Sequence, residues 1–195
     1  TENNRLVTNG MSNFNRGSRY ANAAIVVSVD LHKKGDEPLM KGLDFRENFE
    51  KKAFDQVQNQ GGKQALATQG LMDFLLNRDS KDLKGSSPSG LCPVRLDQIF
   101  PDALYLHLVE AFERFEKKME GFIGPQATLY GVETRTSCPL RIPRDQESLQ
   151  STSHKGLYPC GEGAGYAGGI TSAACDGVRV ADALVNLLAS QAGPL

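Results

Sequence analysis

From Asp44 the apolar positions Phe45, Phe49, Ala53 and Val57 recur at helical spacing, and Gly61-Gly62 stops the pattern as a C-terminal cap would. A second helix is predicted from near Thr68 to about Asn77, with Leu71, Phe74 and Leu75 facing inward. The strongest pattern opens at Pro101-Asp102, where Leu104, Leu108, Phe112, Phe115 and Met119 form one apolar stripe. Glu113 and Lys117 add an i,i+4 pair to that helix, and Gly121 closes it. A last helix carries the stripe Val178, Ala181, Leu184, Val185 and Leu188, which should dock it firmly.

Strand-like patterns are shorter. Ala23 to Val29 is apolar except for Ser28 and rich in β-branched residues, which predicts a strand buried on both faces. Leu129 to Thr136 alternates apolar and polar residues and reads as a strand, and Gly156 to Cys160 as a short one. Asn9-Gly10 and Asn15 to Ser18 are turn signals, and Lys33 to Lys41 is a loop. Asp79 to Pro93, rich in Ser, Gly, Pro and Lys, reads as a surface connector and the most mobile part of the chain, and Ser137 to Ser153, with two prolines, as an irregular excursion or hairpin. The expected class is α/β in the sense of an α+β fragment. Its predicted order is a β-rich segment over residues 1–43, a helical insert over 44–121, a β segment over 122–155 and a strand-turn-helix over 156–195.

The chemistry concentrates in that last segment. Five of the nine positions from Gly161 to Gly169 are glycine, more than packing alone calls for, so something outside the turn is expected to approach its backbone. A glycine-rich turn running into a helix aims backbone N–H groups and the positive end of a helix dipole at an electron-rich group. Gly163, Gly165 and Gly168 match G-x-G-x-x-G, but the context of the Rossmann fingerprint is missing. That fingerprint needs a second strand and an acidic residue about 20 positions onward, whereas one helix leads here to Leu195.

Glu162 sits inside the glycine run directly after the short strand, an order similar to the C-terminal FAD motif of two-dinucleotide-binding flavoproteins. Val7 to Ser12, Asn22 to Ser28, Leu129 to Ser137 and Gly156 to Gly169 resemble consecutive blocks of the poorly characterised FAD-dependent (NAD(FAD)-utilising) dehydrogenase family. The resemblance implies an FAD site to which Gly161, Glu162, Gly163, Ala164, Gly165, Tyr166, Gly168, Gly169 and Ile170 contribute. In that picture Glu162 accepts hydrogen bonds from ribityl or ribose hydroxyls, while the helix N-terminus, capped by Thr171 and Ser172, faces the flavin ring. A carboxylate satisfied by nearby backbone N–H groups is the alternative for Glu162.

The family's N-terminal Rossmann unit, which holds the ADP half of FAD, is not found in this sequence. The chain opens on Thr1 without a Met, so it reads as a piece of something longer, with the remaining N-terminal part of the same protein as its partner. NAD(P)H as electron donor is implied only by the family's name. The segment Glu133 to Pro139 is a second candidate: Arg135 could hold an anionic group or the flavin carbonyl edge through its planar fork, or pair with Glu133 or another acid. Asn9, Met11, Ser12, Arg16 and Asn22 are a third, favoured as structural turns.

Composition narrows the function classes. A formal net charge of −1 gives no electrostatic argument for nucleic acid or an anionic membrane surface, and no apolar run is long enough to span a bilayer. The chain therefore reads as soluble and intracellular. Lys33-Lys34 and Arg141 to Arg144 read as solvated faces. Cys92, Cys138, Cys160 and Cys175 lack metal-ligand spacing and are expected to be reduced structural thiols, Cys160 packing within its strand. His32, His107 and His154 suggest no triad, and no general acid or base is nominated. The leading expectation is a fragment of an FAD-dependent oxidoreductase, inactive alone, acting on an unknown small molecule. The rivals are a non-catalytic FAD-binding or interaction module and a flavoprotein acting on RNA.

Overall fold

The structure, a computed structural model, describes residues 3–10, 14–29 and 40–192. Its class is α+β, with four α-helices and one small mixed sheet among the described residues. Chain packing divides it into two units, Thr1–Gly35 with Asp44–Thr134, and Asp36–Leu43 with Arg135–Leu195.

In the first unit helix α1 spans Lys41–Asn59, and the periodic positions Phe49, Ala53 and Val57 are all buried. Its end is a Schellman cap: Gly61 takes φ +70°, its N–H donates to Gln58 O, and Gly62 N–H donates to Val57 O. Helix α3 spans Asp102–Lys118 and presses Phe112 inward, with Leu104, Leu108 and Phe115 packed against the same core. Met119 lies past the last helical turn and is half exposed. The ion pair on this helix joins Arg114 to Glu110 at 2.5 Å. Beyond it Gly121, at φ +87°, and Ile123 both donate their N–H groups to the Glu116 carboxylate.

The sheet has the order β2-β1-β3, with β1 (Leu66–Gly70) parallel to β2 (Leu91–Pro93) and antiparallel to β3 (Thr128–Gly131). This corrects three expectations. Thr68 to Gly70 belongs to a strand, and the helix that follows, α2 (Leu71–Leu75), is only one turn long. The end of the expected surface connector, Leu91 to Pro93, is a strand with Cys92 buried. The strand expected to run to Thr136 ends at Gly131.

The central strand β1 escapes apolar pattern reading because two of its fully buried residues are polar. Thr68 donates to Cys92 O at 3.0 Å, and the Gln69 amide donates to Asp97 Oδ1 at 2.8 Å while its oxygen accepts Asp97 N–H. Burial is the largest single influence on the Asp97 carboxyl and pushes it up, but the Arg95 fork and the Gln69 amide together outweigh it and hold it below the usual range. Thr68, Gln69 and Asp97 are each satisfied in this way. Around it Phe49, Phe74, Phe100, Tyr105, Phe112 and Phe122 make edge-on and tilted ring contacts at 5.1–6.4 Å.

Ala23 to Val29 is no strand, and most of it is exposed. A run this apolar needs a ladder on both sides, whereas the strands of the described sheet pair only with one another. Asn9, Arg16 and Asn22 are exposed in irregular backbone, with Arg16 at φ +51° just after a turn at residues 14–15. Met11, Ser12, the pair Lys33-Lys34 and His32 lie outside the described residues.

The second unit is nearly free of regular structure before helix α4, Ile170–Ala192. The excursion after Ser137 closes on itself through an antiparallel bridge between Arg144 and Ser151. Residues 157–160 enter the glycine turn without a sheet partner, so the expected strand is absent, and Cys160 is exposed rather than packed. The stripe on α4 is also open: Val178 and Val185 are both 62% exposed, Leu188 is exposed too, and Val180 is the buried residue of the helix. No helix among the described residues is long and apolar enough to cross a membrane.

Candidate glycine-turn site

The turn from Pro159 to Gly169 is built around one buried ion pair. Arg144 donates to both carboxylate oxygens of Asp176 at 2.9 and 2.6 Å, and to Pro159 O at 2.7 Å. Asp176 also accepts Gly161 N–H at 2.9 Å, so a single bidentate pair ties the first glycine of the turn to the second turn of α4. The guanidinium lies 3.7 Å from the centre of the Tyr166 ring, and the Tyr166 hydroxyl donates to Ile142 O at 2.9 Å. The Arg144 hydrogen bond, reinforced by Gly161 N–H, holds the Asp176 carboxyl down at about 2 against the cost of burial. Arg144 is therefore a structural cation with a 5% exposed side chain, and the solvated-face reading of the Arg141 to Arg144 stretch fails there.

The glycines divide into two groups. Gly161 at φ +70° and Gly165 at φ +81° occupy backbone conformations that L side chains rarely adopt. A Cβ on Gly165 would stand 2.2 Å from Leu140 O, so its missing side chain serves a close approach within the chain. That approach is fastened by Ile142 N–H to Ala164 O at 3.1 Å and by Arg141 Nε to Gly165 O at 3.0 Å. Ala164 is buried beneath the turn.

Gly163 and Gly168 differ: nothing lies within 4 Å of a Cβ placed on either, and neither requires positive φ. They face open space beside the start of α4, where Ile170 is 92% exposed. The N–H groups of Ile170, Thr171 and Ser172 have no acceptor among the described residues. Ser172 does not cap them, because its hydroxyl donates backward to Gly169 O at 3.0 Å. The Glu162 carboxylate, half-buried beside Gly163, has no hydrogen-bond or ion-pair partner among the described residues.

Next to the turn, Ser137, Cys138, Arg141, Gly165, Tyr166, Ala167 and Gly168 line a shallow cleft of about 240 Å³. Arg135 is exposed and is not part of this lining. The cation that does line it is Arg141, which is exposed as the solvated-face reading expects, and a short basic run offset by acids gives no sign of a cleft beside it. His107 and His154 are both exposed, His154 Nδ1 meeting the Ser153 hydroxyl at 2.9 Å.

A protein of Clostridium beijerinckii (strain ATCC 51743 / NCIMB 8052) described only as an uncharacterized protein is 41% identical over 189 residues, covering 95% of this chain. The aligned part is 34% of that protein, so the chain spans about a third of its relative's length. The family described as FAD-dependent protein, C-terminal domain-like, matches residues 1–136, which takes in the sheet and helices α1 to α3 and stops just before the excursion that leads to the glycine turn. The chain belongs to this FAD-dependent family.

Proposed function

We propose that this chain supplies the flavin-ring side of the cofactor site of an FAD-dependent oxidoreductase, a dehydrogenase, together with part of its substrate cavity. One observation carries the reading: Gly163 and Gly168 leave open backbone beside the uncapped start of α4, while the neighbouring Glu162 carboxylate is unengaged. These are the donors and acceptor that a flavin nucleotide needs, N–H groups for its carbonyl edge and a carboxylate for its hydroxyls. The fit is chemical as well as steric, since an unpaired half-buried carboxylate and three unsatisfied N–H groups are groups a ligand would satisfy.

In this reading Gly161, Ala164 and Gly165 shape the turn, Tyr166 braces it, and Glu162, Gly163, Gly168, Gly169 and Ile170 meet the cofactor. FAD supplies the hydride or electron transfer. The chain's own part is to position: α4, pinned by Asp176 to Arg144, points a fixed dipole at the place where negative charge develops. The ADP half is held by the remaining part of the same polypeptide, consistent with a relative about three times as long. NAD(P)H has no support from the described residues.

The test is the ultraviolet-visible spectrum of the full-length protein, followed by anaerobic addition of candidate reductants. A bound flavin whose spectrum bleaches with substrate supports the oxidoreductase. A bound flavin that never bleaches supports the non-catalytic module, and no flavin after FAD supplementation removes the reading.

A further inference from the structure

The cleft beside Tyr166 carries an uneven charge. Its lining contains the guanidinium of Arg141 and no carboxylate. Arg144, on the same Tyr166 ring, is neutralised by Asp176, whereas Arg141 has no acidic partner among the described residues. The Arg141 fork is also oriented in advance. Its Nε donates to Gly165 O at 3.0 Å and its Cζ lies 5.0 Å from the Tyr166 ring centre, while neither terminal nitrogen has a hydrogen-bond acceptor among the described residues.

We propose that this cleft is a subsite for a small planar oxyanion, the carboxylate of the substrate, gripped by the two terminal nitrogens of Arg141. Two parallel N–H donors match a carboxylate edge better than a point charge does. Ser137 lines the same cleft and its hydroxyl is a further donor type for such an anion, and Tyr166 brings an aromatic ring to the lining. At about 240 Å³ the cleft is below the usual range for a whole drug-sized ligand, so it takes one end of a substrate rather than all of it. Gly168 lines the cleft and also borders the open backbone at the start of α4, so an acid held by Arg141 would sit beside the proposed flavin position. The proposal rests on the flavin-site reading for the role of the anion as substrate. Its binding does not.

The experiment is calorimetric titration of benzoate into the full-length protein, FAD-loaded and stripped of flavin, with neutral benzamide as control. Benzoate should bind both forms, and benzamide at least about tenfold more weakly, the loss of one charge-assisted contact. Arg141→Met should lose about tenfold or more in benzoate affinity, and Arg141→Lys an intermediate amount, because lysine keeps the charge and loses the fork. Both variants give up the exposed hydrogen bond from Arg141 Nε to Gly165 O and should melt within about 4 °C of the wild type. Benzoate binding unchanged by Arg141→Met overturns the proposal, as does no benzoate binding to either form. Binding only to the stripped form, displaced by inorganic phosphate, reassigns Arg141 to a cofactor phosphate and overturns the substrate role. Arg141-dependent binding in a protein that never takes up FAD upholds the oxyanion subsite and sinks the flavin reading instead.

Discussion

The two units of this chain are held by different physics. The first buries rings and aliphatic chains: Phe49, Phe74, Ile99 and Phe112 are almost fully shielded, with a mixed sheet running through them. The second buries few apolar side chains, Leu149, Ala164 and Val180, and leaves much of the α4 stripe in water. What organises it is the Arg144 to Asp176 pair and a set of backbone hydrogen bonds across the glycine turn. Apolar burial tolerates many sequences of similar volume, whereas a bidentate ion pair and a positive-φ glycine tolerate almost none. The unit with the thin core thus depends on a few particular polar and backbone groups where the first depends on shared apolar volume, and it is the unit that carries the candidate site.

The comparison sharpens with the largest effect first. Phe74 is 1% exposed and meets both Tyr105 and Phe112, so Phe74→Ala should destabilise the first unit by about 3–5 kcal/mol. Urea unfolding followed by far-ultraviolet circular dichroism reads this directly. A loss under about 1 kcal/mol would mean the aromatic cluster is not what holds this unit.

Gly165→Ala should come next. A left-handed backbone costs an L side chain about 1–2 kcal/mol, and a methyl group 2.2 Å from Leu140 O forces a backbone shift worth about 1–3 kcal/mol more. The effect should appear as earlier proteolytic cleavage between residues 137 and 169, with cleavage of the first unit unchanged. Cleavage that speeds up equally everywhere would contradict independent support of the turn.

The ion pair follows. The ordinary Asp value is 3.8 and Asp176 is held at about 2, which corresponds to about 2 kcal/mol of stabilisation at neutral pH. The sign is that of a depressed acid: the contribution is complete above 3.8 and is lost as pH falls through about 2. The wild type should therefore exceed Asp176→Asn in stability at pH 7 and at pH 5, with the gap closing below pH 3.8. Parallel melts at these values check it, and a gap that persists at the lowest pH would show the carboxylate's charge to be irrelevant.

The pattern of successes and misses in the sequence follows the same division. Helices α1, α3 and α4 were legible because amphipathic periodicity is a local signal, and the Gly61 cap was legible because few residues but glycine take that φ readily. Strand β1 was not, since Leu71, Phe74 and Leu75 drew the helix pattern backward across it and its buried Thr68 and Gln69 look polar until their partners, Cys92 O and Asp97, are known. Ala23 to Val29 misled in the opposite direction: hydrophobicity states a need for burial without saying where the covering surface comes from. The exposed stripe on α4 teaches the same lesson. In the glycine turn the composition could not separate Gly165, where a Cβ would meet Leu140, from Gly168, where a Cβ would have nothing within 4 Å. Nor could it pair Arg144 with Asp176 across 32 residues.

That separation of the glycines gives the smallest expected effect on stability and the most informative one on function. Gly168 has open space where a side chain would go and no need for positive φ, so Gly168→Val should change stability by no more than about 0.5 kcal/mol. If open backbone at this position receives the cofactor, the added isopropyl group occupies the approach, and the full-length variant should lose most of its bound FAD while melting normally. Glu162→Ala should also lower FAD retention with a normal melt, because the carboxylate has no hydrogen bond or ion pair among the described residues whose loss could unfold the turn. Gly165→Ala supplies the contrast, since any flavin it loses should follow the loosening of the turn. Flavin content and melting temperature measured on the same samples decide the matter. A Gly168→Val protein that keeps its flavin would mean the open glycines face only water, and a cofactor, if bound, would then have to approach the start of α4 without passing Gly168.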